Sequence, residues 1–491
     1  MSEPFTTALV LTAVGLLLLL AGLASPLPSR FGVPALLFFL GVGMLAGSEG
    51  IGGIPFDDYG LAFRLGNVAL ALILFDGGLN TPPAVLRRVA GRASLLATLS
   101  VLLTALVVAG VGVGLGLSPE LAFLVGAVVS STDAAAVFAV LRGSRVRLKH
   151  STAATLEVES GLNDPMAMFL TVVATEWMLG GIGPAGALWL FVQQLVLGAA
   201  GGVAAGLLGR FLLHAVRLPA AGLYPVVTVA VAFLSFGATT LVNGSGFLAV
   251  YLAGIVLASG HLPYRAGVRR VHDSLAWLAQ ILMFVLLGLL VFPSRLIENA
   301  GMGLALAFTL AFVARPLAVL GVLAPFRPPW RESAFVSWVG LRGAVPIVLA
   351  AYPVLRGVPS GHEIFHLVFF AVVVNALVPG ATVGLVARWL GISRADAPPP
   401  AASVELVSLR EFPGEFVWYF VHPVSAVAGA WVRDLSLPDG SLVVLIVRGE
   451  QVVVPRGDTR LEPGDQVCAF VTPDARGLLD LLFGAGGEEA S

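Results

Sequence analysis

A carboxylate, a carboxamide and a hydroxyl set close together are the ligands a desolvated cation requires, and ESGLNDP at residues 159–165 supplies them as Asp164, Asn163 and Ser160. Pro165 follows at once and lacks the helical N–H that would bond the carbonyl of Gly161, which adds a fourth oxygen. Such a set can replace part of the water shell of a hard monovalent ion. A buried carboxylate is costly as a bare charge, and a proton or a cation relieves that cost, so the two compete for Asp164. If the protein reorients only when the site is filled, exchange of one for the other follows. Asn163 cannot titrate, so the single charge at Asp164 favours one proton per cation, provided that Asp133 does not itself cycle. Glu159 lies about 140° round a helix from Asp164 and points away from it, which makes it the expected charge-balancing partner of Arg342.

The elements that carry these residues must lie in a membrane. The 491-residue chain is 57% hydrophobic and 12% charged, with a mean hydropathy of +0.94, whereas soluble domains carry about 25% charged residues. A net charge of -1 gives no reason to expect nucleic acid, and a single cysteine excludes a disulfide framework or a cysteine metal cluster. The first basic residue is Arg30, so the N-terminal apolar run is expected to be a retained span and not a cleaved leader. About thirteen apolar runs of spanning length lie between residues 7 and 391. Alternate loops between them carry the basic clusters, such as Arg87, Arg88 and Arg92, while Arg64, Arg295 and Arg356 stand alone in the others. That asymmetry puts the N-terminus outside and the C-terminus in the cytoplasm.

FFLGVGMLAG (38–47) aligns with YLAGIVLASG (251–260) at an offset of 213 residues. These are the second and ninth runs; an odd separation gives two copies opposite orientations, as in inverted-repeat transporters. The same offset carries VVSSTDAAAVF (128–138) onto LRGAVPIVLAA (341–351). Each is an apolar run interrupted at mid-depth, by Ser130, Ser131, Thr132 and Asp133 in one and by Arg342, Gly343 and Pro346 in the other. Two broken helices are therefore expected to cross, in spans five and twelve, where unwound backbone lines a polar cavity. Asp133 has the sign to offset a helix N-terminus and Arg342 a C-terminus. Asp76, Glu157 and Arg315 are further intramembrane charges, each costing ~2.5 kcal/mol or more unless paired or hydrated. Glu157 reads as an interfacial acid, Arg315 as a residue that pairs with an acid or snorkels, and Asp76 equally as a packing acid or a site residue. A channel would use the same cavity without alternating access. An intramembrane hydrolase would need paired catalytic acids or a facing Ser/His dyad.

Together, SSTDAAAV (130–137), ESGLNDPMAMF (159–169) and GLRGAVPIV (340–348) resemble the motifs of the NhaP-type monovalent cation:proton antiporters, in particular the bacterial potassium/proton antiporters also called cell-volume-regulation proteins. The resemblance covers residues 7 to 391 and implies a homodimer in the inner membrane with elevator-like alternating access. It further implies Asp164 as the exchange carboxylate, Thr132, Asp133, Ser160 and Asn163 around the cation, K+ or Na+, and a Glu159–Arg342 pair. Asp76 stands where many sodium-transporting relatives carry a glutamate, which leaves its part in selectivity or gating open.

The expected organisation is a transmembrane domain over residues 1–395, a proline-rich linker at 396–404 and a small cytoplasmic α/β domain over 405–491. FVWYFVHP, SLVVLIVRG, QVVVPRG and QVCAFV read as strands, and AVAGAWVRDLS and DARGLLDLLFG as helices. VRGEQVVVPRGDTRLEPGDQV resembles the regulator-of-potassium-conductance C-terminal domain, also named TrkA-C. That resemblance implies dimerisation and a small regulatory ligand such as a cyclic dinucleotide or another nucleotide, or else a stabilising module with no ligand. It brings no Gly-rich nicotinamide loop and no other cofactor, and the further C-terminal domain of some relatives is not expected.

Overall fold

The computed structural model describes residues 4–24, 35–394 and 414–483, apart from residues 145, 217, 261, 299, 424, 450 and 473. The expected linker at 396–404 lies outside the described residues. The chain forms two compact units, one of helices over residues 1–262 and 268–394 and a second built mainly from residues 395–491.

Helices occupy every apolar run anticipated in the first unit. Among the described residues, seven helices are long and apolar enough to cross a membrane unaided: Tyr59–Asn80, Pro83–Gly114, Pro184–Ala215, Leu223–Leu241, Arg265–Leu289, Ala300–Phe326 and Gly361–Trp389. Shorter apolar helices accompany them, among them Ala35–Ala46, Pro119–Val128, Gly246–Ala258 and Val345–Leu355. His150–Met178 runs unbroken through Pro165 and carries the ESGLNDP segment. The first interrupted helix consists of Pro119–Val128 and Ala134–Gly143, the second of Trp330–Trp338 and Val345–Leu355. Helices that begin at Ala35, Pro119, Ala134 and His150 have counterparts beginning at Gly246, Trp330, Val345 and Gly361, each 211 residues later.

Glycine lets the bundle close at two matching places. A Cβ on Gly43 would lie 2.9 Å from the Gly288 Cα, and one on Gly78 would lie 3.1 Å from the Gly254 Cα. At both, helix backbones meet without intervening side chains, a packing that small residues permit in lipid. Single π turns, Leu96–Ser100 and Leu310–Ala314, interrupt the matching long helices. On leaving the last helix, Ser393–Arg394 pairs antiparallel with Arg147–Leu148, the short connection between the first interrupted helix and His150–Met178.

The second unit is a four-stranded antiparallel sheet with Glu415–Phe420 at one edge, then Gln466–Val471, Leu442–Arg448 and Gln451–Val453 at the other edge. The helix Arg476–Phe483 buries Leu479 and Phe483 with Tyr419, Ile446 and Val467 of the sheet. All four expected strands form, but AVAGAWVRDLS is not a helix. Its backbone N–H groups are spent on another segment: Gly429 bonds the Leu461 carbonyl at 2.8 Å, Val432 that of Thr459 at 2.9 Å and Arg433 that of Gly457 at 3.1 Å. Only the turn Val432–Asp434 remains helical, as a 3-10 turn. In the LEPGD turn the buried Asp465 takes both arms of Arg448, at 2.8 and 2.9 Å. These bonds hold the guanidinium above its ordinary value.

Candidate functional site

The site begins at the first break. Ser130 to Asp133 are polar residues in an apolar run, and they leave the helix after Val128 with carbonyls that no following turn satisfies. Arg342 meets one of them, donating from Nε to the Val129 carbonyl at 2.7 Å. Its Nη1 donates to the Gly340 carbonyl at 2.7 Å, so a single buried guanidinium serves both breaks. The other side of the first break is capped by Asp133, whose Oδ1 accepts from the Ala136 N–H at 3.0 Å. The Asp133 N–H in turn reaches across to the Leu341 carbonyl at 2.8 Å. Each charge offsets the helix end that its sign suits.

His150–Met178 then locks the first break in place. Asn163 donates from Nδ2 to the Thr132 hydroxyl at 2.5 Å and to its carbonyl at 3.3 Å. Ser160 donates to the same carbonyl at 3.1 Å and accepts from the Ala134 N–H at 3.1 Å. Both side chains are thus engaged with the unwound segment, while the Oδ1 of the fully buried Asn163 has no hydrogen-bond partner among the described residues. Asp164 is 7% exposed. Ser131 lines the same cavity as Asp164, and the Asp164 Oδ1 has no hydrogen-bond partner among the described residues. Asp133, Ser160 and Thr132 join Asp164 on the wall of one cavity of about 350 Å³.

The expected Glu159–Arg342 pair does not form. Glu159 instead binds Arg315, with 2.6 Å between Oε1 and Nη1 and both residues at most 2% exposed. The helical angle correctly turns Glu159 away from Asp164, but two arginines lie in that direction. The backbone breaks claim Arg342, while Arg315, with its stem packed over Gly340, is left for the carboxylate. Asp76 sits further along the cavity wall, where its Oδ1 accepts from the Asn80 amide at 3.1 Å. Glu157 and Asp273 also line the wall. Asp273 and Ser131 were not marked as site residues by sequence. Asp273 follows a basic stretch, RAGVRRVH, that has the look of a loop, and Ser131 is one of three adjacent hydroxyl residues with nothing to distinguish it.

The model of the sodium/hydrogen exchanger transmembrane family matches residues 15–389. The chain belongs to that family. The TrkA-C domain model matches residues 416–484. A K(+)/H(+) antiporter NhaP from Alkalimonas amylolytica is 40% identical over 475 residues, covering 94% of this chain and 81% of that protein. A K(+)/H(+) antiporter NhaP2 from Shewanella baltica is 38% identical over 497 residues, with coverage of 99% and 83%. Among solved structures, the sodium proton antiporter MjNhaP1 from Methanocaldococcus jannaschii superposes with a TM-score of 0.66 at 25% identity, covering 78% of this chain and 99% of that one. As a member of this family the chain is a multi-pass monovalent cation/proton antiporter, hence a secondary transporter and not an enzyme.

Proposed function

We infer that the protein exchanges K+ for H+ one for one across the cytoplasmic membrane, with Asp164 as the carboxylate that carries either ion. The observation behind this is the Asp164 Oδ1: a buried carboxylate oxygen on a cavity wall, unpartnered among the described residues, beside unwound backbone that Arg342, Ser160 and Asn163 hydrogen-bond. A bare charge there is costly, and a proton or a cation removes the cost, so the occupied states are the ones that move. Thr132, Asp133, Ser160 and Asn163 shape the oxygen surface around the ion. The K+ preference rests on the near full-length relatives named K(+)/H(+) antiporters. A second reading, Na+ for H+, is favoured by the likeness to the archaeal sodium proton antiporter.

In this proposal the chain crosses the bilayer thirteen times, with the N-terminus outside and the C-terminus in the cytoplasm. The helices repeated every 211 residues form two inverted halves whose interrupted members cross at the site. A homodimer holds the scaffold in the lipid while the site alternates between the two faces. The C-terminal domain regulates transport, and a cyclic dinucleotide or another nucleotide is the ligand class to test.

The deciding experiment is decay of a preset pH gradient in proteoliposomes on addition of K+, Na+, Li+ or Rb+. Wild-type protein should collapse the gradient with K+ at a rate that an imposed membrane potential leaves unchanged. Asp164→Asn should do so at least ~100-fold more slowly. Full exchange by that variant would end the assignment of Asp164, and a rate that follows the potential would end the one-for-one stoichiometry.

A further inference from the structure

We propose that Gly343 is a specificity-determining position, whose missing side chain sets how far the Asp133 carboxylate reaches into the cation site. The inference rests on the assignment of the Asp164 cavity as that site.

Asp133 is held from three directions. Its N–H is tied to the Leu341 carbonyl at 2.8 Å, its Oδ1 caps the Ala136 N–H at 3.0 Å, and its carboxyl lies in a notch over Gly343. The notch exists because residue 343 is glycine. A Cβ there would overlap the Asp133 Oδ2 and come within 2.7 Å of its Cγ and 2.8 Å of its Cβ. Retreat along the backbone is closed, since Arg342, one residue before, is anchored to the carbonyls of Val129 and Gly340. With even one methyl at 343, the carboxylate must swing out of the notch. Gly343, Asp133 and Asp164 face the same cavity, and that cavity is the space available to it.

Selectivity between alkali cations follows from the size of the ligand cage and the strength of its field. Moving a second carboxylate toward Asp164 contracts the cage and strengthens the field, and both changes favour the smaller, harder ion. Gly343 thus acts at one remove: it touches no ion, and it fixes the position of a residue that does.

The test compares cations within one variant. For Gly343→Ala, KM should be measured for K+, Rb+, Na+ and Li+ in the proteoliposome assay, on protein shown to be monodisperse by size-exclusion chromatography. The ratio of the Na+ KM to the K+ KM should fall by about tenfold, the equivalent of a tenfold change in relative affinity. A loss of rate equal for all four cations is what a merely structural defect would produce, and it would overturn the inference. Asp133→Ser keeps a capping oxygen but vacates the notch, so adding Gly343→Ala to it should change the ratio no further. Independent, additive shifts would also overturn the inference. If Gly343→Ala alone aggregates, the double variant decides: recovery of monodisperse protein supports the steric contact, and continued aggregation refutes it. Failure of the site assignment itself is distinguishable, because Asp164→Asn would then exchange normally whatever residue stands at 343.

Discussion

The two interrupted helices share a backbone plan and differ in chemistry. The first break, residues 129–133, offers hydroxyls and a carboxylate; the second, residues 339–344, offers a guanidinium and two glycines. Arg342 stands near the position that the repeat assigns to Val129, and the hydrogen bond between them joins residues 213 apart in the chain. The second break donates to the first through Arg342 and accepts from it through Leu341. Divergence of the two copies has divided the labour. In the proposed site one break presents oxygen atoms to the ion, and the other supports the unwound backbone through Arg342 and Leu341. A polar loop at membrane depth is tolerable only if its backbone groups are met, and here two of them, the Val129 carbonyl and the Asp133 N–H, are met from the opposite half.

Substitutions can break or sharpen this division. The largest effect is expected from Arg315→Ala, which strands Glu159 as an uncompensated buried charge and should cost about 3 kcal/mol or more of stability. Thermal unfolding in detergent would register the loss, and Arg315→Met with Glu159→Gln should recover most of it. A coupling between Arg342 and Glu159 larger than that between Arg315 and Glu159 would reverse the assignment of partners. Next comes Arg342→Ala, which leaves two buried carbonyls unmet at about 1–3 kcal/mol each. Its signature should be a lower unfolding midpoint, with Arg342→Lys restoring part of it. An unchanged midpoint together with weaker cation binding would mean that the second break belongs to the binding surface after all.

On the first break, Thr132→Val removes the hydroxyl that accepts from Asn163 and should raise KM for K+ by roughly tenfold, with only a small change in midpoint. The smallest effect should come from Asp76→Asn. Asp76 lies on the cavity wall away from both breaks, and the change should raise KM about twofold at low ionic strength and less at high ionic strength. A salt-independent loss as large as that of Thr132→Val would place Asp76 among the ion's direct ligands.

Much of this is legible in the sequence. Apolar runs report helices well, and breaks at residues 130–133 and 342–346 announce themselves because polar residues, glycine and proline are expensive there. The segment of Ser160, Asn163 and Asp164 was equally plain. What the pattern could not reveal was how each group is engaged. Asn163 and Ser160 have the chemistry of ion ligands, yet in the fold they clamp Thr132 and Ala134. The partners of Arg342 are carbonyls, which every residue possesses, so no side-chain pattern could point to them. Helical angles gave the direction of Glu159 but could not choose between two arginines. In the C-terminal domain, AVAGAWVRDLS has helical periodicity, but pairing with residues 457–461 outweighs it.

The pairing of Glu159 with Arg315 has a consequence for leakage. In the proposed reading, with Asp133 remaining an anion, Glu159 and Asp133 balance Arg315 and Arg342 around the two breaks, so the occupancy of Asp164 decides the net charge there. With a proton or one alkali ion aboard the region is neutral, and with neither it carries one unbalanced charge. Slippage, the futile return of an empty carrier, would have to take that charge through the low-dielectric middle of the bilayer. On that reading the buried pair balances the charge of the exchange without binding either ion.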